Sequence, residues 1–262
     1  MTSTQNGVPR VEADTVSYTY PDGTAALHEV SVRVAPGEIV AVLGRSGAGK
    51  STLMRCLAGL DEPTSGRVLH DGSDRGGLRG RARRRAQARV GLVFQEFQLV
   101  ERATVLSNAL IGRLAYQPLL PSLVHFVRRR DREIAVEAVR RLGLDDQLRK
   151  RADALSGGQR QRVAIARALV QQPDMLLADE PVANLDPVVA RGVVDDIVRL
   201  ARVEGLTAVL NLHDVDLARH VADRLVGLRA GRLVFDRPTT TVTAADLDLL
   251  YATDRALAGV QG

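Results

Sequence analysis

Gly44-Arg45-Ser46-Gly47-Ala48-Gly49-Lys50-Ser51, with Thr52 directly behind, is the stretch on which the reading of this chain turns. It fits G-x-x-x-x-G-K-[ST], and both flanks have the form the pattern requires. Ahead of it, the unbroken apolar run Ile39-Val40-Ala41-Val42-Leu43 reads as a strand buried on both faces of a parallel sheet. Behind it, residues 51–58 read as an apolar helix. Strand, glycine-rich loop and helix in that order make an anion cradle. Glycines let backbone N–H groups converge on phosphate oxygens, and the helix N-terminus adds positive potential. Lys50 reaches the terminal phosphates and Ser51 offers a hydroxyl to Mg²⁺.

Working outward, residues 11–20 and 26–34 read as two strands around the turn Pro21-Asp22-Gly23, an antiparallel start. Apolar runs at 90–94, 175–178, 207–212 and 225–228 are separated by helical patterns, which is the alternation of an open α/β sheet. From 99 to 153 no such run occurs. There Ile134, Ala135, Ala138, Val139 and Leu142 fall at helical spacing, so this stretch reads as a helical insertion. After Gly231 a short strand at 233–235, a Thr-rich turn and a helix remain. The expected organisation is one α/β cassette over 11–236, with its β region and loop-bearing core at 11–98, a helical part at about 99–170, and the core resumed at 171–236. Residues 237–262 form a short C-terminal extension.

Composition narrows the function classes. The chain has 262 residues, 45% of them hydrophobic, with 36 Lys+Arg against 31 Asp+Glu and a net charge of +5. That is globular and not disordered. The longest uncharged central stretch, 114–127, carries Pro118 and Pro121 and is shorter than the roughly 20 apolar residues a bilayer needs. The polar N-terminus lacks the apolar core of a secretory leader, so a cytosolic location is expected. The single cysteine, Cys56, excludes an internal disulfide framework and a multi-cysteine metal site; beside Met54, Leu57 and Leu60 it reads as a small buried hydrophobe. Seven arginines and no acid between Arg75 and Arg89 account for more than the whole basic surplus. That segment reads as a solvated or membrane-proximal edge, and Arg128-Arg129-Arg130 as a solvated face, with a place near anionic headgroups at the membrane interface as the alternative. With four Phe, four Tyr and no Trp there are few rings to stack on bases, and no nucleic-acid partner is expected.

Two further motifs carry chemistry. Met175-Leu176-Leu177-Ala178-Asp179-Glu180 is an apolar strand ending in two carboxylates, at the end where open α/β sheets bind ligands. Asp179 is expected to reach Mg²⁺ through water, and Glu180 to polarise an attacking water. Leu155-Ser156-Gly157-Gly158-Gln159 precedes a helical run; by itself it reads equally well as a loop in which Ser156 caps a helix.

On these motifs and their order, the chain resembles the nucleotide-binding subunit of ATP-binding cassette (ABC) transporters over residues 11–236, the LSGGQ at 155–159 being the defining signature. The resemblance implies an α/β fold: a P-loop NTPase (RecA-like) core, an N-terminal antiparallel β subdomain and an inserted α-helical signature subdomain. It implies ATP and Mg²⁺ as cofactors and ATP hydrolysis as the activity. By the same resemblance Tyr20, with Tyr18 as competitor two residues away, stacks on adenine; Gln95 contacts Mg²⁺ and the attacking water and senses the membrane partner; and His213 hydrogen-bonds the γ-phosphate. Asn184-Leu185-Asp186 resembles the D-loop, with Asn184 where many members have Ser. Ser156, Gly157, Gly158 and Gln159 then face the γ-phosphate of a second copy, two ATP molecules being sandwiched in a head-to-tail dimer. Implied partners are transmembrane permease subunits and, indirectly, an extracytoplasmic substrate-binding protein, at the cytoplasmic face of the inner membrane.

Within the family, Phe97-Gln98-Leu99-Val100-Glu101-Arg102, Val105-Leu106-Ser107-Asn108, Ile111-Gly112-Arg113-Leu114, the proline-bearing apolar stretch before Arg128, Gln171-Gln172-Pro173 and Leu212-His213-Asp214-Val215-Asp216 resemble the ATPase subunit of phosphonate importers. An ATPase for phosphate, phosphite or an amino acid, or one of the lipoprotein-release or cell-division type, is the alternative. The last two usually lack the extended segment between Leu114 and Arg130.

Overall fold

The computed structural model describes residues 7–116 and 128–252; the apolar run at 117–127 lies outside the described residues. The chain divides into two compact units, Met1–Gly76 with Val209–Gly262, and Gly77–Ala208.

In the first unit, β1 (Val11–Thr19) and β2 (Ala25–Val34) pair antiparallel with Val11 opposite Val34. Val30, Val32 and Val34 point inward while the residues between them face out, the period of a one-sided sheet. β3 (Ile39–Leu43) is buried at all five positions, as its unbroken apolar run requires. Helix α1 (Lys50–Leu57) follows the loop. β4 (Ser65–His70) pairs with the other edge of β1, and β5 (Ser73–Asp74) completes a sheet in the order β2-β1-β4-β5. The later part of the unit returns β8 (Thr207–Asn211), of which residues 209–211 belong here, α7 (Val215–Val221), β9 (Arg224–Arg229), β10 (Arg232–Pro238) and α8 (Ala244–Tyr251). β9 runs parallel to β3, with Val42 opposite Val226, and pairs antiparallel with β10. Arg224 fastens this corner: its Nε donates to Glu38 at 2.7 Å, and it also reaches Asp236 and the carbonyl of Arg33. Burial opposes its charge, but Glu38 and Asp236 raise its pKa above the ordinary value.

The second unit holds α2 (Gly80–Ala88), β6 (Val90–Val93), α3 (Val105–Leu110), a 3₁₀ turn at Ile111–Tyr116, α4 (Arg129–Arg141), α5 (Gly157–Val170), β7 (Met175–Asp179) and α6 (Pro187–Glu204). β6 and β7 are parallel, with Val93 opposite Ala178. The arginine-rich segment thus contains a helix, for which alanines and arginines are good formers. Ile165, Leu176, Leu177, Ile197 and Leu200 lie fully buried in this unit. The helices between β6 and β7 converge on one polar anchor. Arg113, nearly buried, donates to Asp131 at 2.8 Å and to the carbonyl of Val170 at 3.2 Å, and its guanidinium lies 4.4 Å from the Tyr116 ring centroid. Among the described residues no helix is long and apolar enough to cross a membrane.

Candidate functional site

The phosphate loop is held where side chains do not fit. Gly44 has φ +152, and a Cβ there would stand 2.2 Å from the carbonyl oxygen of Leu228 in β9. Gly49, at φ +99, occupies the N-cap of α1 with no side chain capping the helix; its Cβ would fall 2.5 Å from the carbonyl oxygen of Ala26. Both positions therefore require glycine. Between them Arg45, Ser46 and Gly47 are exposed and Ala48 is buried, its carbonyl accepting from the N–H of Gly231 at 3.0 Å. Lys50 is only 4% exposed and donates from Nζ to the loop carbonyls of Gly44 at 2.7 Å and Arg45 at 3.1 Å. Ser51 is exposed on the first turn of α1.

Tyr20 stands beside this turn. Its hydroxyl and that of Thr52 are 2.8 Å apart, and its ring meets Tyr18 edge-on at 5.0 Å. Tyr20, and not Tyr18, carries the bond to α1, and it is the more exposed of the two. His213 is exposed two residues beyond β8; Leu212 before it donates to the carbonyl of Val42 at 3.2 Å, which puts His213 at the carboxyl end of β3, where the loop emerges. Cys56 is buried in α1, and burial pushes its thiol up to about 12.

The second unit carries the remaining candidates. Asp179 ends β7, and Glu180 follows at φ +49, directly ahead of Pro181. Gln95 is exposed two residues beyond β6, and the register of the two strands puts Gln95 and Glu180 at the same, carboxyl, end. Ser156 caps α5 in a complete capping box: its Oγ accepts from the N–H of Gln159 at 3.3 Å, and Gln159 Oε1 accepts from the N–H of Ser156 at 3.1 Å. The helix-cap reading of this motif therefore holds. Asp186 likewise caps α6 through Val189 at 3.1 Å. The signature glycines let these two helix starts approach: a Cβ on Gly158 would lie 2.5 Å from Val189, and one on Gly157 would lie 3.0 Å from Leu185. Within this unit the structure thus brings residues 156–159 beside 184–186.

Two residues were not singled out by the sequence. Arg160 and Arg167 of α5 grip the segment just after Gln95. Arginines seven apart on a helix look like an ordinary solvated face, and only the pairing shows otherwise.

The residues fit the implied cofactors. An uncapped helix start behind glycines that admit no Cβ, with a buried lysine at its base, is a set of donors for phosphate. Ser51 in the first unit, and separately Asp179 and Gln95 in the second, each carry a hard oxygen donor of the kind Mg²⁺ takes. Among the described residues no cluster of three His, Cys, Asp or Glu provides an all-protein metal cage.

A family model described as ABC transporter matches residues 27–183, and the chain belongs to that family. Its curated relatives are specific in name. It is 47% identical over 244 residues to the phosphonates import ATP-binding protein PhnC of Alcaligenes faecalis, covering 93% of this chain and 88% of that one. It is 52% identical over 219 residues to PhnC 2 of Rhodopseudomonas palustris, covering 84% and 81%. Among solved structures, the ATP-binding cassette MJ0796, a dimer bound to ADP and Pi, superposes with a TM-score of 0.76 at 30% identity, over 87% of this chain and 98% of that one. The cbiO1 subunit of the Clostridium perfringens transporter cbiONQ superposes with a TM-score of 0.79 at 28% identity, over 97% and 99%.

Proposed function

We propose that the chain is the ATP-hydrolysing, energy-coupling subunit of an ABC importer for phosphonates or related phosphorus oxyanions. The observation that carries this reading is the identity of 47% and 52%, over most of both chains, to relatives named as phosphonate import ATP-binding proteins.

In this reading Lys50, the amides of the 44–49 loop, Ser51 and Thr52 hold the triphosphate, and Tyr20 packs on adenine. Ser51, Asp179 and Gln95 hold Mg²⁺, which neutralises phosphate charge when bound. Glu180 takes the proton of a water whose oxygen attacks the γ-phosphorus, while the bond to the leaving ADP oxygen breaks; His213 donates to the γ-phosphate. Positioning and charge account for most of the rate, because phosphoryl transfer asks for little covalent chemistry. Ser156, Gly157, Gly158, Gln159 and Asp186 serve the nucleotide of a second copy in a head-to-tail dimer, so nucleotide closes the dimer and hydrolysis opens it. The chain works as a peripheral subunit on the cytoplasmic face of the inner membrane, with permease subunits and, beyond them, a substrate-binding protein.

The test has two arms. Lys50→Ala is expected to lose MgATP binding and turnover together, and tight binding by the variant overturns the phosphate-site assignment. Reconstituted in vesicles with its permease and binding protein, the wild-type chain is expected to drive uptake of methylphosphonate in preference to phosphate; the reverse preference overturns the phosphonate, and uptake of neither overturns the phosphorus-oxyanion class.

A further inference from the structure

Beyond β10 the chain turns back along α7 and meets it at three levels. At the C-terminal end of α7, Thr239 donates its hydroxyl to the carbonyl of Ala222 at 2.7 Å and its N–H to that of Asp223 at 2.9 Å. In the last turn, Arg219 donates from Nη2 to the carbonyl of Val242 at 3.0 Å. Tyr251, the last residue of α8, stands at the N-terminal end, its hydroxyl buried with no hydrogen-bond partner among the described residues. Burial raises the Tyr251 pKa, and the charge of Asp214, the cap of α7, raises it further.

Residues 239–251 are themselves fastened to the sheet. Leu250 is fully buried, Arg229 of β9 donates to the carbonyl of Leu249 at 3.1 Å, and Arg237 of β10 pairs with Asp246 at 3.3 Å. α7, by contrast, has seven residues, of which Ala218 and Val221 are buried. So short a helix is not stable unaided, and its direction follows what holds its ends. Its cap is the residue directly after His213, Asp214 Oδ1 accepting from the N–H of Leu217 at 2.9 Å. His213 is thus carried between Leu212, whose N–H is fixed on the carbonyl of Val42, and a helix held by residues 239–251. A buried hydroxyl without an acceptor is costly, and a carboxylate is an acceptor of the strong, charge-assisted kind.

We propose that Tyr251 is a positioning residue for His213: its hydroxyl donates to the Asp214 carboxylate when His213 engages the γ-phosphate, and residues 239–251 hold α7 in the direction this requires. The C-terminal extension thereby takes part in placing a site histidine. The inference rests on the ATPase reading above, since it is that reading which gives His213 its task.

Tyr251→Phe removes one oxygen and keeps the ring, so activity and stability can be read on the same folded chain. With kcat and KM for MgATP measured on the full chain, this variant is expected to lower kcat about fivefold and to change KM by less than about twofold, because a small displacement of a placed group acts on the reaction more than on binding. Its urea midpoint is expected to stay level or rise, since the oxygen removed has no partner before nucleotide binds. In a His213→Ala background, Tyr251→Phe is expected to cost less than about twofold in the residual kcat, because the group it places is gone. A kcat within about twofold of wild type overturns the inference, as does a loss of about twofold or more in the His213→Ala background. A lower kcat accompanied by a lower midpoint and a raised KM is the mark of a merely structural role and overturns it too. A wild-type chain that does not hydrolyse MgATP overturns the ATPase reading itself, whereas an active wild type with any of those three outcomes overturns this inference alone.

Discussion

Glu180 adopts φ +49 immediately before Pro181, a left-handed conformation that costs an L-residue roughly 1–2 kcal/mol. A glycine at this position relieves that cost. Glu180→Gly is expected to raise the urea midpoint of unfolding, by about 1 kcal/mol in stability, while abolishing turnover; a fall in the midpoint contradicts the strain. Glu180→Gln is expected to keep nucleotide binding and lose hydrolysis by about 10²-fold or more, because the amide cannot take the proton, and hydrolysis at the wild-type rate removes Glu180 from that role. The Cys56 thiol, pushed up to about 12 by burial, stays protonated across neutral pH, so a thiol reagent at pH 8 is expected to label it only after unfolding. At this scale the sequence is informative where chemistry demands a residue type at a fixed spacing, as for Lys50, Ser51, Asp179 and Glu180. It is silent on Arg167, because an arginine contacting main-chain carbonyls leaves no pattern in its neighbours.

The core strands were readable because burial on both faces imposes an unbroken apolar run, and β3, β7 and β8 have one. β4 was not, since in Ser-Gly-Arg-Val-Leu-His only Val68 and His70 are buried, and α2 was not, since five of its nine residues are uncharged but none makes an apolar stripe. The helices of the second unit depend on a polar anchor no periodicity announces. Arg113→Met leaves Asp131 buried without this cation and is expected to cost roughly 3 kcal/mol, read as a fall in the urea midpoint; a change below about 1 kcal/mol contradicts the anchor. α8 is capped by Thr243 and Asp246, and the backbone and hydroxyl donors of Thr243 hold the Asp246 carboxyl below the usual range. A group whose pKa is lower folded than unfolded stabilises above its unfolded value and stops doing so as pH falls through the folded one. The α8 cap should therefore persist on mild acidification, and carboxyl NMR is expected to place the Asp246 midpoint below 3.8.

For the whole molecule, the net charge of +5 is misleading taken alone, because it comes from residues 75–89, apart from the phosphate loop, the signature and the Asp179-Glu180 pair. Binding to duplex DNA at physiological salt is expected to be no tighter than about 1 μM, as for non-specific contacts; tighter binding by fluorescence anisotropy would restore a nucleic-acid role. Family membership was legible because three motifs occur in a fixed order along one chain, each weak alone except the first. The signature is also an end that has already satisfied itself: the Ser156 hydroxyl and the Gln159 amide close on each other's backbone. A ligand that takes the Gln159 N–H as its donor must displace the Ser156 oxygen, so it gains only the difference between its own hydrogen bond and the one it breaks. On the ATPase reading, that difference is what a γ-phosphate would draw from this donor, and when the phosphate leaves, the Ser156 hydroxyl is at hand to take the donor back.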